Sequence, residues 1–374
     1  MGCLKTEKSI GFLDPPHRDM DNRSGKMMKR FKVGIIGVGT MGQAHINAFI
    51  ANKKAEVIAI ADVNPDTLKF VSGKFKIEKA FTDYQDLLSI DELEGVAVCT
   101  PPFAHAKITC DAASSGKHVL CEKPMAMNSK EARRMVEACD EAGVKLGICS
   151  ARSRFNPSVS LAKKYIEKGK IGRVYYYRAT TLRRRGRPGI DILKESKWFL
   201  DSSKAGGGAL IDIGCYDIDV SLYLLGNVQP LSVSAMSFAG IEPPVNPGTV
   251  YDVEEHSSIF VRFKEEVTAT FETAWASNMT PYTETLIFGS AGGLKLNPFI
   301  YYTEERGLAV SKIYDIPQRS RGIMNQLIDD FVTACRKDRD PKTPGKDGLK
   351  TMEIIEAAYR SAKLKREVNI RELQ

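Results

Sequence analysis

The sequence predicts an α/β fold in which a doubly wound parallel sheet precedes an α+β domain with an open, largely antiparallel sheet. Two observations predict the parallel sheet. An apolar strand runs directly into a glycine-rich turn at residues 31–42, and β-rich runs then alternate with helical patterns up to Cys149. A third observation predicts the second domain, because several strand patterns follow one another without helices after residue 230.

The first part of the chain alternates regularly between the two kinds of pattern. Strands are expected at Lys32–Ile36, Val57–Ala61, Gly95–Thr100, His118–Glu122 and Lys145–Ile148, and helices at Met41–Ala51, Pro65–Ser72, His105–Ser114 and Ser129–Ala142. This order is typical of βαβ units, whose strands are parallel.

The pattern changes after Ser150. A helix (Val159–Glu167) and a strand (Val174–Thr181) precede an apolar helix that runs from the Gly206–Gly208 turn to Leu225. The later elements are strands at Leu231–Phe238, Ser257–Phe263, Val267–Trp275 and Glu284–Phe288, then helices at Ile323–Arg336 and Gly348–Leu364. We therefore predict a flexible extension at residues 1–30, a first domain at 31–150 and a second at 151–374.

The glycine-rich turn has the spacing of a dinucleotide-binding motif, Gly37-x-Gly39-x-x-Gly42. Gly37 permits a tight turn, Gly39 lets the backbone approach a pyrophosphate, and Gly42 lets the following helix pack against the strand. The helix N-terminus favours the negative charge of the phosphates. A bound dinucleotide is therefore expected here.

Asp62 ends the second strand, 20 residues after Gly42, which is close to the interval expected for the acid that binds the adenosine ribose. A carboxylate accepts hydrogen bonds from the ribose hydroxyls and repels a 2′-phosphate. Since no arginine follows directly, NAD is favoured as the cofactor and NADP is less favoured.

Composition and charge exclude several classes of function. The net charge of +8 is modest for 374 residues, and the sharpest basic run, Arg183–Arg187, is better explained as a solvated or anion-binding loop than as a nucleic-acid site. The eight cysteines form no CxxC pair, so we expect a reducing, cytoplasmic setting without disulfides, and no Cys/His spacing indicates a metal. No apolar run is long enough to span a bilayer, so no membrane partner is expected.

Polar residues follow two further predicted strands, where ligands of open parallel sheets bind. The segment Thr100–His105 follows one strand, and Glu122-Lys123-Pro124 follows the next. Because the proline disfavours a helical conformation for Lys123, that side chain is held at a bend near the expected nicotinamide. From position alone, an ordinary solvated lysine remains an equal alternative.

The second domain contributes an unusual apolar helix after Gly206–Gly208. Asp212 and Tyr216 are four residues apart and share a face, and Asp219 follows Tyr216 by three. Such polar groups are costly in an apolar helix unless they have partners. The structural alternative is a helix cap and a core tyrosine with a satisfied hydroxyl.

The motifs together resemble the glucose-fructose oxidoreductase, inositol dehydrogenase and MocA (Gfo/Idh/MocA) family. The resemblance rests on GVGTMGQAH, TPPFAH, CEKP, RFNP (Arg154–Pro157) and GGGALIDIGCYDID, in this order, from Phe31 to about Leu225. It implies that Lys123 is catalytic, that the bond before Pro124 is often cis, and that Asp212 binds or orients the substrate. Many members have a catalytic histidine where this chain has Tyr216, although some have tyrosine.

The resemblance implies an NAD(P)-dependent dehydrogenase of sugars or polyols that forms a homo-oligomer, a dimer or tetramer, through its open sheet. The residues expected to contact the cofactor are Gly37, Val38, Gly39, Thr40, Met41, Gly42, Asp62, Thr100, Pro101, His105, Glu122 and Lys123. The plausible substrate-lining residues are Arg154, Arg183, Trp198 and Asp219, each of which also has a purely structural interpretation.

A hydride-transfer mechanism follows as a hypothesis. The substrate hydroxyl gives its proton to Tyr216, assisted by Lys123, which also stabilises the developing oxyanion. The Lys123 ammonium is expected to lower the pKa of Tyr216, and Asp212 to act in the opposite direction. Two alternatives remain: an NAD-using enzyme that cleaves glycosides after transient oxidation, and a dinucleotide-binding sensor without turnover.

Overall fold

The computed structural model describes residues 29–241, 249–316 and 322–373, which form a six-stranded sheet and a nine-stranded sheet with helices around them. The predicted N-terminal extension, residues 1–30, lies almost entirely outside the described residues. Among the described residues, no helix is long and apolar enough to cross a membrane.

The first sheet is parallel throughout and has the strand order β3-β2-β1-β4-β5-β6. Its strands are β1 Phe31–Ile36, β2 Ala55–Ala61, β3 Lys79–Phe81, β4 Gly95–Val98, β5 His118–Cys121 and β6 Leu146–Ile148. Its helices are α1 Thr40–Ala51, α2 Pro65–Phe75, α3 Tyr84–Leu88, α4 His105–Ser114 and α5 Ser129–Glu141. The strand order reverses between β1 and β4, which opens a crevice at their carboxyl ends.

The second sheet is mixed and mostly antiparallel, with the order β14-β13-β12-β11-β7-β10-β9-β8-β15, in which β7 and β10 are the parallel pair. Its strands are β7 Val174–Leu182, β8 Pro230–Phe238, β9 His256–Phe263, β10 Thr268–Ala274, β11 Tyr282–Gly289, β12 Gly292–Leu296, β13 Phe299–Glu305, β14 Leu308–Tyr314 and β15 Val368–Asn369. The helices of this half are α6 Pro157–Glu167, α7 Ser202–Ala205, α8 Cys215–Leu224, α9 Ile323–Arg336 and α10 Gly345–Leu364, and a π-helical turn at Leu210–Gly214 precedes α8. The predicted fold class is confirmed.

One face of the second sheet packs against helices, and the other face is open. Phe271 and Val261 are buried beneath α8 and α10, whereas Met236 and Phe238 on the opposite face are 59% and 56% exposed. The open face agrees with the expectation of an open sheet. That it binds a second copy of the chain stays a prediction, which the sedimentation behaviour of the protein would test.

Helix α9 crosses back to the first sheet. Its Leu327, Ile328 and Phe331 join the core around β1, and the Phe331 ring meets the Phe31 ring edge-on, with centroids 6.3 Å apart. Residues late in the chain therefore complete the core of the first domain. The predicted boundary near residue 150 lies between the two sheets in the chain. Helix α9 comes after that boundary but packs in the core of the first domain.

Candidate active site

The three glycines of the motif have different surroundings, and these indicate why each position is a glycine. Gly37 has φ +85°, and a Cβ on Gly42 would lie 2.0 Å from the Gly37 carbonyl oxygen, so packing of the protein requires both residues. A Cβ on Gly39 would meet no protein atom within 4 Å. Since the fold itself does not need a glycine at 39, the open space suits a ligand that approaches the backbone there.

The N-terminus of α1 faces the same space. Gly39, its N-cap residue, supplies no capping side chain, and the first turn contains no acidic residue. The first N–H groups of a helix need acceptors, and the helix dipole favours an anion at this end. The turn and the helix therefore fit a pyrophosphate.

Asp62 joins the end of β2 to the glycine turn. One oxygen of its carboxylate accepts a hydrogen bond from Val38 N–H at 2.8 Å, and the other accepts from Asn64 N–H at 2.9 Å. The side chain is half-buried at the crevice edge, where the carboxylate can also accept from ribose hydroxyls. The site therefore fits NAD, which it would hold with the glycine turn and Asp62.

His105 holds together the two loops that follow β4 and β5. Its Nδ1 lies 2.9 Å from the Pro124 carbonyl oxygen, and its Nε2 lies 2.8 Å from the Thr100 carbonyl oxygen. The Lys123–Pro124 peptide bond is cis, as the family resemblance implies. The predicted cofactor-contacting segments after β4 and β5 are thus fixed side by side.

Lys123 reaches from the end of β5 into the second domain. Its Nζ lies 2.5 Å from Asp212 Oδ1 and 3.1 Å from the Asp212 carbonyl oxygen, and Trp275 Nε1 donates to Asp212 Oδ2 at 2.8 Å. Burial alone would lower the pKa of Lys123, but the Asp212 carboxylate outweighs it and raises that pKa above its ordinary value. Lys123 is therefore a fixed ammonium group.

A buried carboxylate positions the helix that bears Asp212. Glu254 accepts from the backbone N–H groups of Gly208 and Leu210, both at 2.9 Å, and from the Tyr359 hydroxyl at 3.0 Å. A Cβ on Gly208 would lie 1.9 Å from the Glu254 carbonyl oxygen, which explains the glycine. Asp212 itself lies in the π-helical turn, a feature often found at functional sites.

Tyr216 lies beside this ion pair and contacts a second cation. Arg152 Nη2 donates a hydrogen bond to the Tyr216 hydroxyl, and Lys123 Nζ is 5.6 Å from the centre of the Tyr216 ring. Arg152 belongs to the 3₁₀ segment Cys149–Phe155 that follows β6. Lys123, Asp212 and Tyr216 are therefore brought together as predicted, with Arg152 as an unpredicted neighbour.

Comparison with known proteins adds to this geometry. Residues 31–149 match the model of an oxidoreductase family with an NAD-binding Rossmann fold, and residues 159–295 match the Gfo/Idh/MocA C-terminal domain. A levoglucosan dehydrogenase from Pseudarthrobacter phenanthrenivorans is 30% identical over 293 residues, which cover 72% of this chain and 74% of that protein. The chain belongs to the Gfo/Idh/MocA family. It is an oxidoreductase whose first domain is of the NAD-binding type, so the predicted cofactor is confirmed.

Further members of the Gfo/Idh/MocA family match over nearly the whole chain. A myo-inositol 2-dehydrogenase from Thermotoga maritima is 26% identical and covers 91% of this chain and 99% of its own. The structure of a levoglucosan dehydrogenase in complex with NADH and levoglucosan superposes with a TM-score of 0.80 at 27% identity, covering 91% of this chain and 100% of that chain.

Lys123 does lower the pKa of Tyr216, as predicted, but it does not decide the net direction of the shift. Burial raises the pKa of Tyr216, and this effect outweighs the lowering by the Lys123 and Arg152 cations. The phenol is therefore neutral at ordinary pH in the ligand-free protein and can donate its proton. The sequence shows the lysine but not how deeply the tyrosine is buried.

Arg154 and Asp219, both predicted to line the substrate site, are buried partners in an ion-pair network that also includes Asp347. The guanidinium makes two hydrogen bonds to Asp219, at 2.7 and 2.9 Å, and one to Asp347 at 2.7 Å. These contacts give both residues a structural role. We therefore do not include them among the proposed substrate-binding residues.

Replacing Arg154 with methionine is expected to destabilise the protein by about 3–5 kcal/mol, because Asp219 and Asp347 would be left buried without their cation. Calorimetric thermal unfolding measures the loss. The control is Arg262→Met, which breaks an exposed ion pair with Glu367 and should cost less than about 1 kcal/mol. Equal losses in the two variants would contradict the structural role.

Arg183 and Trp198 remain candidates for substrate contact. Arg183 is half-buried at the end of β7, and its side chain bonds the Gly186 carbonyl oxygen at 3.3 Å. In the part of the chain that the structure describes, no carboxylate pairs with it. Trp198 stacks on Phe199, with ring centroids 3.8 Å apart. The arginines of the basic run do not share one role, because Arg187 is fully buried in an ion pair with Glu255 at 3.1 Å.

Sequence reasoning missed Arg152, Trp275 and Glu254. Arg152 follows β6, and its place at the carboxyl end of a parallel strand was a usable signal. Trp275 and Glu254 reach the site from distant segments. Nothing local in the sequence marks them.

Proposed function

We propose that the chain is an NAD-dependent dehydrogenase that moves a hydride between the nicotinamide and a hydroxyl-bearing or carbonyl carbon of a sugar, a polyol or a sugar derivative. One observation carries the proposal. The Lys123 ammonium, fixed by Asp212, lies 5.6 Å from the centre of the ring of the neutral Tyr216, at the end of the crevice that holds the glycine turn. The names of the related dehydrogenases support this substrate class.

Each side chain has a proposed role. The ammonium of Lys123 stabilises negative charge on the substrate oxygen, since it is a buried cation held in place before the reaction. Asp212 keeps Lys123 charged and oriented. Tyr216 exchanges a proton with the substrate oxygen. Bound NAD would supply the hydride acceptor.

A panel assay tests the proposed function. Polyols, aldoses, uronates and glycosides are each incubated with the protein and NAD, while NADH absorbance and aglycone release are both recorded. Net NADH formation with one class supports the dehydrogenase. Aglycone release without net NADH would show the glycoside-cleaving alternative. NAD binding without any product would favour the sensor.

Cofactor choice depends on the charge of Asp62. The Asp62→Asn variant keeps an oxygen that can accept from Val38 N–H but removes the repulsion of a 2′-phosphate. We expect the preference for NAD over NADP to fall by about 100-fold, because like charges in contact cost several kcal/mol. The ratio of kcat/KM values for the two cofactors measures this.

Asp66→Asn is the matched control, since Asp66 is an exposed acid in the first turn of α2. Its preference should stay that of the wild type. An unchanged preference in Asp62→Asn would mean that another residue selects the cofactor.

A further inference from the structure

Arg152 and Arg154 are two residues apart, yet their hydrogen bonds differ. Arg154 uses its guanidinium on two carboxylates and on the Lys342 carbonyl oxygen. Among the described residues, the side-chain hydrogen bond of Arg152 goes to the Tyr216 hydroxyl, and its buried Nη1 has no hydrogen-bond partner. The Arg152 side chain is 26% exposed, and a partly buried guanidinium with so few bonds contributes little to folding, so its place needs another explanation.

Glu122 forms an ion pair with Arg152 and connects it to neighbouring elements. Its Oε2 lies 3.7 Å from Arg152 Nη1 and accepts from the Lys123 N–H at 3.0 Å, while its Oε1 lies 2.8 Å from His45 Nε2. Burial would raise the pKa of Glu122, but His45 and Arg152 lower it to about 2. The carboxylate is therefore ionised, and it ties Arg152 to the backbone of Lys123 and to α1.

We propose that Arg152 is a positioning residue that orients the Tyr216 hydroxyl and stabilises the phenolate formed during proton transfer. The proposal rests on the proposed function. Because Nη2 of Arg152 donates to the phenol oxygen, the proton of that hydroxyl must point elsewhere, away from the guanidinium. The guanidinium also lies over the ring, 4.8 Å from its centre, close to where negative charge appears.

The proton balance is simple. In carbonyl reduction the carbonyl oxygen becomes an alkoxide as a hydride, which the reduced nicotinamide that the site would hold can supply, adds to the carbon. The Tyr216 O–H bond breaks, and its proton passes to that alkoxide. This leaves a phenolate, which regains a proton from water. In alcohol oxidation Tyr216 first loses its proton to water, and the phenolate then takes the proton of the substrate hydroxyl as the carbon gives up a hydride, which the oxidised nicotinamide that the site would hold can accept. The charged or titratable groups near Tyr216 are Lys123, Arg152, Glu122, Asp212 and Cys215.

The first test does not depend on knowing the substrate. A fluorinated tyrosine, whose phenol is more acidic, is incorporated at position 216, and its pKa is followed by fluorine NMR in the ligand-free protein. In the Arg152→Met background we expect this pKa to rise by about one to two pH units, because a contacting cation is lost. In Arg152→Lys the rise should be smaller, since the charge is kept. No rise in Arg152→Met would overturn the proposal, whether or not a substrate is known.

The second test uses steady-state kinetics with a substrate that the enzyme oxidises in the panel assay. Arg152→Met should lower kcat by about 100-fold and shift its pH profile toward alkaline pH, and KM should change little. In a Tyr216→Phe background the same substitution should have almost no further effect on kcat. A raised KM with unchanged kcat would show instead that Arg152 binds substrate.

The two tests separate the possible failures. If no substrate turns over but the fluorotyrosine pKa rises in Arg152→Met, the proposed function fails and the contact with Tyr216 stands. If turnover is seen and neither the pKa nor the pH profile moves, the role of Arg152 fails. Circular dichroism of each variant shows that it is folded, and Arg152→Gln replaces any variant that is not.

Discussion

Replacing Lys123 with methionine is expected to lower kcat by about 1000-fold while NAD still binds. The ammonium is held in place by Asp212 and is the group proposed to stabilise the alkoxide, and loss of one preorganised donor to a developing oxyanion costs about 100- to 1000-fold. Lys123 contributes charge rather than bulk at this point, and methionine keeps most of its length. Single-turnover kinetics measure hydride transfer, and calorimetric titration measures NAD binding.

A second buried lysine, at the opposite end of β5, provides the control. Lys117 directly precedes β5 and donates to the carbonyl oxygens of Ile90 and Leu93, at the end of the strand away from the site. Lys117→Met should reduce stability and leave kcat close to that of the wild type. The double variant Lys123→Met with Asp212→Asn removes the unpaired carboxylate and should remain as slow as the single variant. Normal hydride transfer in Lys123→Met would contradict the assigned role.

The sequence could place Lys123 at the end of a strand because that signal is local, whereas its catalytic role was implied by the family resemblance alone. A lysine before a proline, at the end of an apolar strand, is fixed by the backbone rules of neighbouring residues. The shared face of Asp212 and Tyr216 is predictable in the same way from their spacing on one helix, and their roles were again implied by the resemblance. Trp275 and Glu254 differ, because their roles arise from contacts between segments that are far apart in the chain. The position of Arg152 after β6 was a usable signal, but its contact with Tyr216 is also a long-range one.

The acidity of Tyr216 shows the limit of reasoning from neighbours. A nearby ammonium and a nearby carboxylate can be inferred from motifs, and they set the sign of the charge interactions. Burial, which raises the pKa of Tyr216 more than the cations lower it, depends on everything packed around the ring.

The fold was predictable where one face of a strand is buried. The runs that became β1, β2, β9 and β10 show apolar continuity or alternation, and each was found within two residues of its ends. The strands β12, β13 and β14 were missed. Strand β14 has no fully buried residue, so its sequence lacks the alternation of buried and exposed positions on which the prediction depends. The short elements β3 and α3 were missed because they span only three and five residues.

The motif glycines allow a test in which stability and cofactor binding separate. Gly39→Ala should fold normally, because φ is negative, at −64°, and the new Cβ meets no protein atom within 4 Å. NAD affinity should nevertheless fall by about 100-fold, or about 2.7 kcal/mol, because the new methyl group occupies the space of the pyrophosphate. Calorimetric titration and thermal unfolding of the same samples measure both quantities.

Gly42→Ala should behave differently, because its Cβ would lie 2.0 Å from the backbone oxygen of Gly37 and α1 would have to move. A loss of about 3 kcal/mol in the free energy of unfolding is expected together with the loss of NAD binding. Gly73→Ala is the control, since Gly73 lies within α2 and its Cβ meets nothing within 4 Å. That variant should gain up to about 1 kcal/mol and bind NAD normally. If Gly39→Ala bound NAD as tightly as Gly73→Ala, the pyrophosphate could not lie against the backbone of residue 39. The cofactor would then have to bind at a different position in the crevice.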